Sequence, residues 1–156
     1  MTVVSDTSPL NYLILIGLDE ILHQLFGRVL LPGAVFDELG SSGAPEKVRA
    51  WISAPPEWIE VRRLPSPGPE LAHLDPGERE AIGLAAQIGP SLLLLDEARA
   101  RDAAIHRGLH VVGTLGLLDR AAAAGLIDLQ DALTRLRQTT FRASPKLLEV
   151  LAKRQS

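Results

Sequence analysis

The stretch Thr2-Val3-Val4-Ser5-Asp6-Thr7-Ser8-Pro9 is a short apolar run that stops at an acid and turns straight into a helix start. Thr2 to Ser5 reads as a buried strand. Ser8 can cap the helix that follows, and Pro9 suits its first turn. The pattern returns at Ser91-Leu92-Leu93-Leu94-Leu95-Asp96-Glu97, where an apolar strand ends on two acids ahead of a helix running to Arg107. In an open parallel sheet, ligands bind beyond the carboxyl ends of the strands, which is where Asp6, Asp96 and Glu97 fall.

Working outward, short apolar runs alternate with longer amphipathic ones. The first helix runs through Leu10, Leu13, Ile14 and Ile16 to Gly17, and a second covers Asp19 to Leu25. Arg28 to Leu31 is a strand stopped by Pro32-Gly33. Helices follow at Ala34 to Leu39 and Pro45 to Ala54, then an edge strand at Trp58 to Val61 and a proline-rich loop from Arg62 to Leu74. Asp75-Pro76-Gly77-Glu78 opens a strong helix, with Pro at the first helical position and Glu three residues after the Asp. Ala81, Leu84, Ala85 and Ile88 form its apolar stripe. His110 to Val112 is a last strand, and Thr114 to Ala124, Asp128 to Arg137 and Ser144 to Arg154 are helices. This alternation predicts one α/β domain over residues 1–156, a three-layer α/β/α sandwich around a mostly parallel sheet of four to five strands.

The 156 residues are 46% hydrophobic but only 4% aromatic, so the core is aliphatic, which suits parallel strands covered by helices. There is no cysteine, which excludes disulfides and thiolate metal sites. No apolar run is long enough to span a bilayer and no basic n-region precedes Thr2, so a cytoplasmic protein without membrane attachment is expected. A net charge of −3 argues against duplex binding through bulk positive charge, although a carboxylate cluster lowers the net charge by itself. There is no Gly-Lys-Ser/Thr loop for a P-loop and no Gly-x-Gly-x-x-Gly after a strand for dinucleotide binding. His106 and His110 are separated by Gly108 and make poor zinc ligands.

A carboxylate at the end of an apolar strand is costly unless it is hydrogen-bonded, caps a helix or holds a cation. Asp6 and Asp96 can each be explained as helix caps. Glu38 beside Asp37 can be a solvated surface acid, Glu78 can belong to a capping box with Asp75, and Glu80 can lie on the surface. Only as an ensemble do these acids point to chemistry. Several converging carboxylates repel one another and call for a hard divalent cation.

The motifs in order resemble those of PIN-domain nucleases. Val3-Val4-Ser5-Asp6-Thr7-Ser8-Pro9-Leu10 resembles the first, where the Asp binds metal and a small hydroxyl residue, here Ser8, supports it. Val35-Phe36-Asp37-Glu38-Leu39 resembles the second, with Glu38 as the acid. The stretch from Gly77 to Ala85 resembles the third, and Leu93-Leu94-Leu95-Asp96-Glu97 with Ala100-Arg101 the fourth. Gly113-Thr114-Leu115-Gly116-Leu117-Leu118 is similar to a VapC-like bacterial and archaeal subgroup. The resemblance implies Asp6, Glu38, Glu78 and Asp96 as catalytic, metal-binding acids. Glu80 remains an alternate to Glu78, which is preferred for its place at the helix start, and Glu97 an alternate to Asp96.

It further implies Mg2+ or Mn2+ as cofactor, single-stranded or structured RNA as substrate, and endonucleolytic hydrolysis. A cognate antitoxin protein and a homodimer come with the toxin reading. The other readings are a PIN fold that has lost turnover and binds RNA or protein, and an RNA-processing nuclease that is not a toxin. Arg99 and Arg101, on the helix after the fourth motif, are candidates to hold phosphate, and Thr114 can add a hydroxyl or backbone N–H. Ile21, Leu22, Leu25, Val48, Trp51 and Ile52 can either complete the core or form a self-association surface.

Overall fold

The computed structural model describes residues 2–63, 69–89 and 91–142. Its strands are β1 (Thr2–Ser5), β2 (Val29–Pro32), β3 (Ile59–Arg62), β4 (Ser91–Leu94) and β5 (His110–Val112). They form one sheet in the order β3-β2-β1-β4-β5, and every pairing is parallel. The helices are α1 (Thr7–Leu15), α2 (Glu20–Phe26), α3 (Gly33–Leu39), α4 (Glu46–Ser53), α5 (Pro76–Ile88), α6 (Ala98–His106), α7 (Thr114–Ala123) and α8 (Leu129–Arg137). The helix expected from Ser144 to Arg154 lies outside the described residues, as does the middle of the expected proline-rich loop.

Alternation along the strands sorts the core into two layers. Val3, Leu31, Leu92 and Leu94 face one side, where α1, α2, α4, α7 and α8 cover them. Val4, Leu30, Leu93 and Leu95 face the other, against Ala81, Ile82, Leu84 and Ala85 of α5 and Ala100 and Ala104 of α6. Small residues on α5 and α6 let these helices lie close to the leucines of β4. Ile21, Leu22, Val48 and Ile52 are buried in the chain's own core, with Leu25 and Trp51 packed against it. Among the described residues no helix is long and apolar enough to cross a membrane.

From central β1 the chain moves to β2 and β3 on one side, and later to β4 and β5 on the other. The order therefore reverses between β1 and β4, and the crevice at their carboxyl ends is where such sheets bind ligands. The Asp6 N–H donates to the Leu94 carbonyl at 2.9 Å, locking the two strand ends together. Leu93, fully buried on the α5 and α6 side, tests this packing. Leu93→Ala should cost about 2–5 kcal/mol, read as a lower urea midpoint, without changing the secondary structure seen by circular dichroism. An unchanged midpoint would contradict the layer assignment.

Candidate functional site

Asp6 occupies the N-cap position of α1, yet its side chain does not close the cap. It is 5% exposed, and its Oδ1 is buried with no hydrogen-bond partner. Leaving such an atom unpaired is expensive, so the explanation by capping alone is insufficient. Burial pushes the carboxyl up to about 8. The Thr7 backbone N–H works against that rise, and the charges of Asp75, Glu78 and Glu38 add to it.

Glu38 reaches the same place from α3. Its Oε2 accepts from Thr7 Oγ1 at 2.8 Å. Gly77 lies between the acids: a methyl group there would stand 3.2 Å from Asp6 Oδ1, 3.2 Å from Glu38 Oε2 and 3.4 Å from Thr7 Oγ1. The missing side chain thus leaves a small cradle bounded by two carboxylates. Glu80 accepts from the Ala34 N–H at 2.9 Å and so closes the first turn of α3. It steadies the helix that carries Glu38. Next to Glu38, Asp37 pairs through both oxygens with Arg63, at 2.9 and 3.1 Å, which holds the Asp37 carboxyl below its ordinary range. That pair is exposed and stabilises little.

Glu78 completes the capping box that the sequence predicts: Asp75 accepts from its N–H at 2.9 Å, and Glu78 Oε1 accepts from the Asp75 N–H at 3.2 Å. The same carboxylate is buried, and its pKa is raised first by that burial and then by Asp75, Glu97 and Glu38. Capping therefore aims Glu78 at the other acids rather than explaining it away. Asp75 and Gly77 belong to this neighbourhood although the sequence marks them only as a helix start.

Asp96 is placed differently. Thr114, fully buried, donates its N–H to Oδ1 at 2.7 Å and its hydroxyl to Oδ2 at 2.6 Å. Burial raises the Asp96 pKa, the Thr114 bonds and the Arg101 charge oppose the rise, and Asp96 is not among the charges acting on Asp6 or Glu78. Arg101 donates to the Leu95 carbonyl at 3.0 Å, which holds its guanidinium beside Gly113 and Asp96. Glu97 accepts from the Ala100 N–H at 2.8 Å, capping α6, and is one of the charges felt by Glu78. The structure thus places Asp6 and Glu38 on either side of Gly77, with Glu78 near enough for its charge to act on Asp6 and Glu97 near enough to act on Glu78, while Asp96 accepts two hydrogen bonds from Thr114 and keeps lone pairs free on both oxygens. Arg99 is exposed on α6, and Ser8 lines a cleft beside Glu38.

Among the described residues no group of three or more His, Cys, Asp or Glu side chains stands close enough together to hold a metal ion. An open site still fits a small hard cation, because Mg2+ keeps several waters and takes only one or two protein carboxylates. The unpartnered Asp6 oxygen, the Glu38 carboxylate and the bare Gly77 backbone are suited to that arrangement.

A family model described as DUF3368, a PIN domain, matches residues 2–156. Among solved structures the chain resembles a PilT N-terminus domain protein from the hyperthermophilic archaeon Sulfolobus solfataricus P2. The TM-score is 0.53 at 15% identity, over 92% of this chain and 100% of that one, and the likeness is one of fold. A comparison with curated proteins gave no match.

The Asp6 carboxyl, near 3.8 in an unfolded chain and about 8 in the fold, makes stability depend on pH. Between those values the folded state holds the extra proton, so this group's contribution is full at low pH and is lost as pH rises through the window. Asp6→Asn removes that loss. With a chelator present, the variant should gain on the wild type between about pH 4 and about pH 8, by on the order of a few kcal/mol, in urea denaturation. A stability difference that does not change with pH would contradict the burial of an ionisable Asp6.

Proposed function

The chain belongs to the PIN-domain family, a fold of the nuclease type, and we propose that it is a divalent-metal-dependent endoribonuclease acting on single-stranded or structured RNA. The observation that carries this reading is the buried, unpartnered Asp6 Oδ1 facing Glu38 across the bare backbone of Gly77. A buried acid with an open oxygen, a second acid beside it and no side chain between them make a poor structural element and a suitable cation cradle.

On this reading Asp6, Glu38 and Glu78 would hold the cation, with Asp96 or Glu97 as the fourth acid. A bound Mg2+ or Mn2+ would acidify water and offset charge on a phosphodiester. The chain's own residues do the rest. Thr7 fixes the Glu38 carboxylate, Glu80 fixes the helix beneath it, and the Asp75–Glu78 capping box fixes Glu78. Asp6 would hold a cation as the carboxylate, in place of the protonated form that its burial favours. Thr114 clamps Asp96 and thereby ties the start of α7 to the end of β4.

Affinity for a polyanion must come from local charge, because the chain as a whole is acidic. Arg101, Arg120 and Arg142 line a cleft of about 540 Å3 that begins at Asp96 and includes Phe141. Three cations and an aromatic ring suit a single strand, whose phosphates seek charge and whose bases stack. The toxin reading adds a cognate antitoxin protein covering the acids, and a second copy of the chain.

Purified protein should cut single-stranded RNA with Mg2+ or Mn2+ present and stop when a chelator is added. Asp6→Asn should lower the rate by roughly two orders of magnitude or more, the scale of losing a group that organises charge at the reacting phosphate. Cleavage that persists in the chelator, or full activity in the variant, would overturn the assignment.

A further inference from the structure

On the side of the acids away from Asp96, a cleft of about 360 Å3 lies between α1 and the turn after α3. Thr7, Ser8, Asn11, Glu38, Ser41 and Pro45 line it. Glu38 is common to this cleft and to the acid cradle, so the cleft opens directly beside the site where a phosphodiester would react. Asn11 and Pro45 also line a second cleft, of about 720 Å3, whose walls include Lys47 and Arg135. The two clefts adjoin at Asn11 and Pro45, with Glu38 in the first and Lys47 and Arg135 in the second.

Resting on the nuclease reading, we propose that these adjoining clefts take the RNA strand on one side of the scissile phosphate, with one nucleobase seated against Asn11 and a following phosphate at Lys47. Among the described residues the first cleft has no cation and has Glu38 on its wall, so it repels an anion and favours a neutral ligand. Its volume is at the small end of ligand pockets, roughly 300–1,000 Å3, which suits a single base rather than a helix. Ser8 and Asn11 lie three apart on one face of α1, and neither side chain makes a hydrogen bond among the described residues. An Asn carboxamide offers a donor and an acceptor side by side, matching the edge of a base, and unstacked bases are read on their edges. Asn is also a weak helix former, so nothing in the stability of α1 calls for it at this half-buried position.

Beyond the base, Lys47 reaches among the described residues only the Leu15 carbonyl, at 3.4 Å, and Arg135 pairs with Asp131. Lys47 is therefore the more available of the two cations for a phosphate. Its contact would carry no sequence information, in contrast to that of Asn11.

The test measures binding of four fluorescein-labelled homopolymeric RNAs, of about eight nucleotides each, a length within the range of single-strand sites. It uses the Asp6→Asn protein, so that cleavage does not interfere. One base should bind at least about five-fold tighter than the weakest, the low end for a paired amide contact, and Asn11→Ala should reduce that preference to below about two-fold. Asn11→Asp, which keeps the shape and removes the amide donors, should also change the ranking. Lys47→Ala should weaken all four alike and flatten the salt dependence. Equal binding of the four RNAs, or a ranking that survives both Asn11 variants, would overturn the proposal. A base preference that depends on Asn11 in a protein that cuts no RNA would support the groove and refute the nuclease reading. Cleavage without any base preference would do the reverse.

Discussion

A carboxylate at the end of the central strand, buried and with one oxygen unpaired, is the constraint on which the rest of the site depends. The backbone of Asp6 is held in place, because its own N–H is bonded to the Leu94 carbonyl and β1 is flanked by β2 and β4. An unpaired polar atom in such a place costs free energy that a structural cap would have avoided. The neighbouring elements then follow. Position 77 has no side chain because any Cβ would press on Asp6 and Glu38. Thr7 turns its hydroxyl to Glu38, and α5 starts with a capping box that keeps Glu78 near the same point. Burial first, and the neighbouring acids after it, push the Asp6 carboxyl up to about 8.

Much of the fold is legible in the sequence because its causes are local. Four consecutive leucines ending in acids, a capping box and small residues along α5 each act over a few positions, and they specify strand, helix start and packing face. The existence of acids at the ends of β1 and β4 is legible for the same reason. Which acids meet is not. Asp96 and Glu97 are adjacent in sequence, and their surroundings differ because Thr114, eighteen residues on, donates to both oxygens of Asp96, whereas Glu97 caps α6. Glu80 is ambiguous on a helical wheel, and the Ala34 N–H that it satisfies lies on α3, 46 residues away. Asp75 and Gly77 read as a helix start, which they are. Their second role, shaping the cradle, arises only when α5 packs against β1 and α3.

The distribution of charge explains how an acidic chain can address a polyanion. Cations line the clefts on either side of Asp6 and Glu38: Arg101, Arg120 and Arg142, with Asp96 and Asp119, in one, and Lys47 and Arg135 in the other. Screening confines each group's influence to about 8–10 Å at ordinary salt, so local arrangement outweighs the net charge of −3.

The central claim is that a divalent cation completes the environment of Asp6. Its most direct test is calorimetric titration of Mn2+ into the metal-free protein at about pH 7, repeated in buffers of different ionisation enthalpy to count protons. With Asp6 protonated in the metal-free fold and ionised in the loaded one, binding should release roughly one proton per ion, and Asp6→Asn should abolish that release. Binding without proton release, or the same release from the wild type and the Asp6→Asn variant alike, would contradict it.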